Sequence, residues 1–254
     1  MELVDTHIHL DLPQFADDLD DVIAASRAAG VIRWINVGFE PDRWTSTLAL
    51  VDRIDGLSAM LGIHPGSVDN WSANTYDELS RLARERQPVA IGEIGIDLHW
   101  RQDNLATQVE AFRAQLDLAG ELGVPAVIHM RDADEAMCDT LESQNVLPHI
   151  HFHSFDGGTE LRSWALKHEA TIGVGGLITR KGSDDLRQWV SGLDRARVVL
   201  ETDAPYLKPR GIRGTRNQPA YMLRTAELLA ELWGVDVASV ADVTSRNAER
   251  IFNL

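Results

Sequence analysis

Near the start of the chain, Asp5-Thr6-His7-Ile8-His9 sets two imidazoles two residues apart among apolar, strand-forming neighbours. Alternate side chains of a β-strand share a face, so His7 and His9 point the same way, with Asp5 earlier on that face. Neutral imidazoles beside a carboxylate can hold a divalent cation. One such pair is weak evidence, because a surface strand with solvated histidines reads the same. The pattern recurs, however. His64, Glu93, His129, His153 and Asp203 each stand at the end of an apolar run.

Of these, His7, His9, Glu93, His129, His153 and Asp203 exceed the three protein ligands that one catalytic zinc usually takes. They suit two divalent ions about 3.5–4 Å apart, a spacing that clamps the attacking and leaving oxygens of a hydrolysis. Zn, Mn, Co or Ni fit so much nitrogen, and Mg fits it less naturally. Glu93 and Asp203 are the catalytic candidates. Glu93 is expected to bridge the ions, and Asp203 to bind one and take the proton from the attacking water. Glu201, two residues before Asp203 on the same face, is expected to orient a ligand from behind. His151 should hydrogen-bond in the core, His99 and His168 should be solvated, and Cys138 should pack.

Strands must carry these donors. After the opening strand, apolar runs lie at 31–38, 57–63, 89–94, 124–130, 149–153, 171–174 and 198–202. Helical spacing alternates with them over 17–29, 41–53, 75–86, 103–122, 133–143, 159–168, 184–191 and 219–233, and a last helix covers 237–252. The clearest is 103–122, where Leu105, Val109, Phe112, Leu116 and Ala119 step by four, three, four and three. Gly30 and Gly234 mark helix ends, and Pro219 a helix start. Eight strand–helix units within 254 residues predict an α/β chain, a (β/α)8 TIM barrel with an additional C-terminal helix, as one domain over 1–254. A doubly wound open sheet is the alternative, but no glycine-rich phosphate loop follows the first strand. In such a barrel the catalytic groups belong at the carboxyl ends of the strands, where these donors fall.

Composition narrows the partners. With 44% hydrophobic and 25% charged residues, the chain reads as a soluble globular protein. The single cysteine forms no internal disulfide, no apolar run has the length of a membrane span, and no basic start leads an apolar block. A cytoplasmic monomer without membrane or disulfide-linked partners is expected. Lys and Arg number 24 against 39 Asp and Glu, a net charge of −15, which excludes a protein that wraps long nucleic acid. Positive charge is instead local. Arg180, Lys181, Lys208, Arg210, Arg213 and Arg216 crowd the loops after the seventh and eighth strands, where many barrels build a phosphate site. Gly211 and Gly214 would let that loop approach a ligand closely.

At this level the chain resembles the TatD-type metal-dependent DNases of the amidohydrolase superfamily. The likeness runs from end to end: Asp5-Thr6-His7-Ile8-His9, Gly62-Ile63-His64-Pro65, Gly92-Glu93-Ile94-Gly95-Ile96-Asp97, Val127-Ile128-His129-Met130-Arg131 and His153-Ser154-Phe155-Asp156-Gly157. Glu201-Thr202-Asp203-Ala204-Pro205-Tyr206 is the most specific segment, and Arg216-Asn217 and Asn247-Ala248 fit as well. Gln218 stands where an acidic residue is usual, and Ser154 where Cys is common. The resemblance implies the same six metal ligands and places His64 and Arg131 near the substrate. It implies a metal-dependent phosphodiesterase acting on DNA ends, a 3′-5′ exonuclease, and the basic loop makes Arg213 and Arg216 the expected phosphate contacts. The alternative on the same centre is ester or amide hydrolysis, such as removal of a D-amino acid from charged tRNA. A non-catalytic binding barrel is a third class, against which the intact donor set argues.

Overall fold

The structure, a computed structural model, describes residues 1–254. Its elements alternate along the chain: β1 (Leu3–Ile8), α1 (Leu19–Ala28), β2 (Val31–Gly38), α2 (Pro41–Arg53), β3 (Leu57–Leu61), α3 (Ala73–Arg86), β4 (Ala90–Asp97), α4 (Leu105–Leu122) and β5 (Ala126–Arg131). Then come α5 (Asp134–Glu142), β6 (Ile150–Phe152), α6 (Thr159–Lys167), β7 (Thr171–Val174), α7 (Asp184–Ser191), β8 (Val198–Leu200), α8 (Met222–Trp233) and α9 (Val237–Phe252). The strands form one eight-stranded sheet in chain order. The last strand also returns to the first, through Thr6 Oγ1 to Leu200 O at 3.0 Å, Asp203 N to His7 O at 2.9 Å and a bridge between Ile8 and Ala204. This is the (β/α)8 barrel that the alternation predicts, with α9 as the extra helix.

The chain divides into two compact units. The first comprises Met1–Asn36, Leu50–Ser58 and Ile172–Leu254. Its strands β7, β8, β1 and most of β2 lie side by side, and α9 packs on β1 and β8. Asn247 of α9 donates to Val198 O at 2.8 Å, which fixes that helix to the start of β8. The second unit comprises Val37–Ala49 and Ala59–Thr171, with β4 paired to β3 on one side and β5 on the other. Every residue of β1 and of β4 is buried. Strands covered on both faces must be apolar nearly throughout, which is why they read as continuous runs, and their few polar residues stand out.

The sequence-based bounds hold for β2, α2, β7, α7 and α9 and shift elsewhere. Residues 219–221 form a separate 3-10 turn before α8. β3, β6 and β8 stop early, so His64, His153 and Asp203 stand past the strands' ends, though their backbone N–H groups still reach Phe39 O, Ile128 O and His7 O. β4 does the opposite and continues three residues past Ile94. Its pairing with β5 shifts register between Gly92 and Ile94, then runs on to Asp97 opposite Arg131. Gly95 permits this: its φ is +141°, and a Cβ there would lie 2.0 Å from His129 O. Only glycine fits.

Gly95→Ala is therefore expected to destabilise the fold by about 2 kcal/mol or more, while Gly120→Ala, in a helix with open space around it, stabilises by about 0.5–1 kcal/mol. Urea unfolding of both variants checks this; equal effects would deny the close approach of β4 and β5.

Candidate metal centre

In the first unit, the ends of β1 and β8 meet around Asp203. Its Oδ1 lies 3.2 Å from His9 Nε2 and 3.9 Å from His7 Nε2, and the two imidazole rings are 5.2 Å apart, edge to face. Asp203 takes a left-handed backbone conformation, φ 55°, that L-residues rarely adopt. Its neighbours hold it there. Asp5 accepts bonds from Thr202 N at 2.9 Å and Thr202 Oγ1 at 2.5 Å, and Asn217 Nδ2 donates to Thr202 O at 2.8 Å. Asp5, which the strand pattern sets beside His7, thus braces the residue before Asp203. Burial, with the nearby charge of Glu201 adding to it, pushes the Asp5 carboxyl up to about 8 against these bonds. Glu201 is buried against β7, where a side chain at Gly173 would come within 2.0 Å of its Oε2.

In the second unit, the meeting point is Glu93 Oε1. His129 Nδ1 lies 2.7 Å away, His153 Nε2 3.1 Å and His64 Nε2 3.7 Å. Donor atoms of His64, Glu93 and His129 fall within 4.8 Å of one another, a group that could hold a metal ion. The far nitrogen of His129 is 3.0 Å from Asp97 Oδ2. A carboxylate behind an imidazole fixes the ring's orientation and raises its basicity as a ligand. Burial works to lower the His129 pKa, but its hydrogen bonds to Asp97 and Glu93 outweigh burial and raise it. Burial likewise works to raise Asp97, and the bond and charge of His129 hold it low. His64 differs. Burial, with His129 beside it, pushes it down to about 3, so it is neutral. Its Nδ1 accepts from Gly66 N at 2.9 Å, which leaves the proton on Nε2.

Helix α4 positions the second group. Gln108 and Gln115 are two turns apart and both fully buried. Gln115 accepts from Ile63 N at 2.7 Å and donates to Ile63 O at 3.2 Å, just before His64. Gln108 does the same for Asp97, at 2.8 and 3.0 Å. Each amide satisfies buried backbone between the ends of β3 and β4, where the pairing of those two strands has already stopped at Leu61 and Ile91.

The basic residues are less uniform than their spacing suggests. Arg216, expected at a phosphate, is bound bidentate to Asp18 at 2.8 and 2.7 Å, bonds Gln14 O and lies over the Phe15 ring. Lys208 bonds Ile212 O. Arg180, Lys181, Arg210 and Arg213 are exposed. Arg131 is exposed at the end of β5, its guanidinium over the Trp100 ring. Tyr206, half-exposed, turns its ring edge to His9 at 5.8 Å. His151 is buried and bonds Thr171 Oγ1 at 3.0 Å, as expected for a core histidine. His99 and His168 are not simply solvated: His99 pairs with Asp132 at 2.7 Å and His168 stacks on Trp164 at 4.2 Å.

The structure therefore brings His7 and His9 to Asp203 in one unit, and His64, His129 and His153 to Glu93 in the other. Sequence reasoning missed Asp97, Gln108 and Gln115. Asp97 had a signal, since it follows Glu93 by four residues on a buried strand; the glutamines had only their place on the apolar face of α4.

The family model for TatD-related DNase matches residues 4–253. Among curated relatives, YabD of Bacillus subtilis, called an uncharacterized metal-dependent hydrolase, is 34% identical over 254 residues, 99% of each chain. The 3′-5′ ssDNA/RNA exonuclease TatD of Salmonella typhimurium is 32% identical over 259 residues, again 99% of each chain. The crystal structure of the TatD homologue YjjV from Escherichia coli superposes with a TM-score of 0.92 at 30% identity, covering 99% of this chain and 98% of that one. With that match, over a barrel whose strand ends carry clustered imidazoles and carboxylates, the chain belongs to the TatD-related DNase family and is a metal-dependent hydrolase.

Proposed function

We propose that the protein removes nucleotides from the 3′ end of single-stranded nucleic acid, a 3′-5′ exonuclease with two divalent ions held by His7, His9, Glu93, His129, His153 and Asp203. One observation carries the reading: each compact unit presents a carboxylate approached by two or more imidazoles, Asp203 in one and Glu93 in the other. Zn, Mn, Co or Ni suit these donors, and such ions, when bound, acidify water and neutralise charge on phosphoryl oxygens. The name of the Salmonella relative supports the substrate class.

The remaining chemistry falls to side chains. Asp203 accepts a proton from the attacking water as the water oxygen bonds to phosphorus. The bond from phosphorus to the ester oxygen of the neighbouring nucleotide breaks, and Asp203 returns the proton to that oxygen. His64, neutral with its proton on Nε2, donates to a phosphoryl oxygen without adding charge beside the ions. Arg213, exposed on the β8–α8 loop, meets a backbone phosphate, while Arg216 holds that loop to Asp18. A surface of net charge −15 repels duplex, so attraction is confined to strand ends that reach these few cations.

Asp203→Asn is expected to cut hydrolysis of single-stranded DNA by about 10²-fold or more, with the circular-dichroism spectrum unchanged. A full rate would remove Asp203 from the mechanism. D-aminoacyl-tRNA assayed in parallel decides the substrate: hydrolysis of that ester, with DNA left intact, would replace the nuclease reading. Elemental analysis after loading with Mn should find two equivalents per chain, lost on chelation together with a fall in Tm of a few degrees. One equivalent would overturn the two-ion centre and leave the hydrolase.

A further inference from the structure

Trp100 is 74% exposed, although it lies only three residues beyond Asp97, the carboxylate that holds His129. An indole left in water forgoes about 2 kcal/mol or more of burial, so its surroundings bear inspection. They are not loose. Asp97 Oδ1 accepts from His99 N at 2.9 Å and from Trp100 N at 3.3 Å. On one side His99 pairs with Asp132 at 2.7 Å; on the other, Arg101 pairs with Asp69 at 2.7 Å and Asp103 at 3.1 Å. Gln102 Nε2 reaches back to Leu98 O at 3.4 Å. The loop is tied on both sides of the ring, and although His99, Arg101 and Gln102 are exposed too, each has a polar partner, while the indole is held out into solvent between them.

One of its faces is covered. The Arg131 guanidinium lies over it, 5.3 Å from the centroid, and the His99 ring meets it edge to face at 4.8 Å. Arg131 takes no part in the ion pairs that hold His99 and Arg101, so its charge stays available beside the indole. A fixed aromatic face with a cation against it matches the two chemistries of a single-stranded nucleotide, a flat base and an anionic phosphate. A duplex base, stacked on both sides, has no face to offer.

We infer that Trp100 and Arg131 form a stacking platform for one unpaired nucleobase of the substrate, with Arg131 contacting the adjoining phosphate. The inference rests on reading the centre as a nuclease, and it names what that centre selects: an unstacked strand. Because Asp97 holds both the platform loop and His129, a stacked base is kept at a set distance from the Glu93 group.

The test uses the full-length, metal-loaded protein and single-stranded oligonucleotides in which one abasic residue is walked inward from the 3′ end. The wild type should show one position at which losing the base raises KM about tenfold. Trp100→Ala should raise KM by a similar factor on the intact strand, and the two losses should not add. Trp100→Phe should restore most of the position effect. Losses that add, or no position effect at all in an active enzyme, overturn the platform and leave the nuclease intact. Binding gives a second readout independent of turnover. An oligothymidylate should quench tryptophan fluorescence of the wild type more than of Trp100→Phe. Equal quenching overturns the platform, while clear quenching in a protein that hydrolyses no nucleic acid upholds the platform and removes the nuclease.

Discussion

Backbone at the carboxyl ends of the strands leaves the hydrogen-bond ladder before it leaves the interior, and its N–H and C=O groups still need partners. Both groups of donors depend on how this constraint is met. In one unit, Gln115 closes both backbone groups of Ile63 and Gln108 both groups of Asp97. In the other, Asn36 accepts from Leu10 N, Asn217 donates to Thr202 O, and Asp5 accepts from Thr202 N. Each of these side chains acts on the residue next to His64, His9 or Asp203, or on Asp97, which braces His129. An amide that satisfies buried backbone with two bonds also fixes where the next side chain starts, and donor positions must be fixed to fractions of an ångström for a metal centre to form.

The same economy of space explains the glycines. At Gly95, Gly173 and Gly176 a Cβ would stand 2.0, 2.0 and 1.8 Å from His129 O, Glu201 Oε2 and Leu207 O. Each lies on or just beyond a barrel strand, and each is a window through which a neighbouring segment enters. Gly173 admits a carboxylate to the interior, and Gly176 admits the loop that follows Asp203. Gly95 and Gly173 serve no turn, and Gly176 also opens a 3-10 turn. Their role is close approach, which a sequence shows only as a glycine inside an apolar run.

How far the site could be read from the chain follows from which contacts are local. His7 and His9 come together as strand alternation suggests, although β1 ends at Ile8 and His9 follows it, and β2, α2, β7, α7 and α9 were legible to the residue because turn residues and periodicity agree there. Beyond His64, Glu93, His129, His153 and Asp203, legibility fell off for definite reasons. The end of β4 was hidden because Gly-Ile-Asp after a strand reads as a turn, whereas Gly95 at φ +141° keeps pairing with β5. With it went Asp97. Arg216 sits in a basic loop by sequence, and only the fold sets it opposite Asp18, nearly two hundred positions away. Gln108 and Gln115 fall on the buried face of α4, where periodicity flags a polar residue without saying what it bonds.

Two buried carboxylates bear on why imidazoles and carboxylates are gathered here. Asp5 accepts three hydrogen bonds, from Thr202 twice and from His7 N, yet burial still lifts its pKa to about 8. Asp97 also accepts backbone bonds, from His99 and Trp100, and is held low. Burial is the largest influence on both and is deeper at Asp5; beyond it, the ring of His129 bonds Asp97 and lowers it, where Asp5 has the acidic Glu201 nearby. Three hydrogen bonds from neutral donors thus do not offset the full burial of Asp5, whereas at Asp97 the bond and charge of His129 do offset a shallower burial. Glu93 and Asp203, each ringed by imidazoles at 2.7–3.9 Å, are arranged for such a complement. A bound metal ion would supply it, displacing any proton the imidazoles carry, and the imidazoles would then serve as neutral ligands rather than as counter-charges.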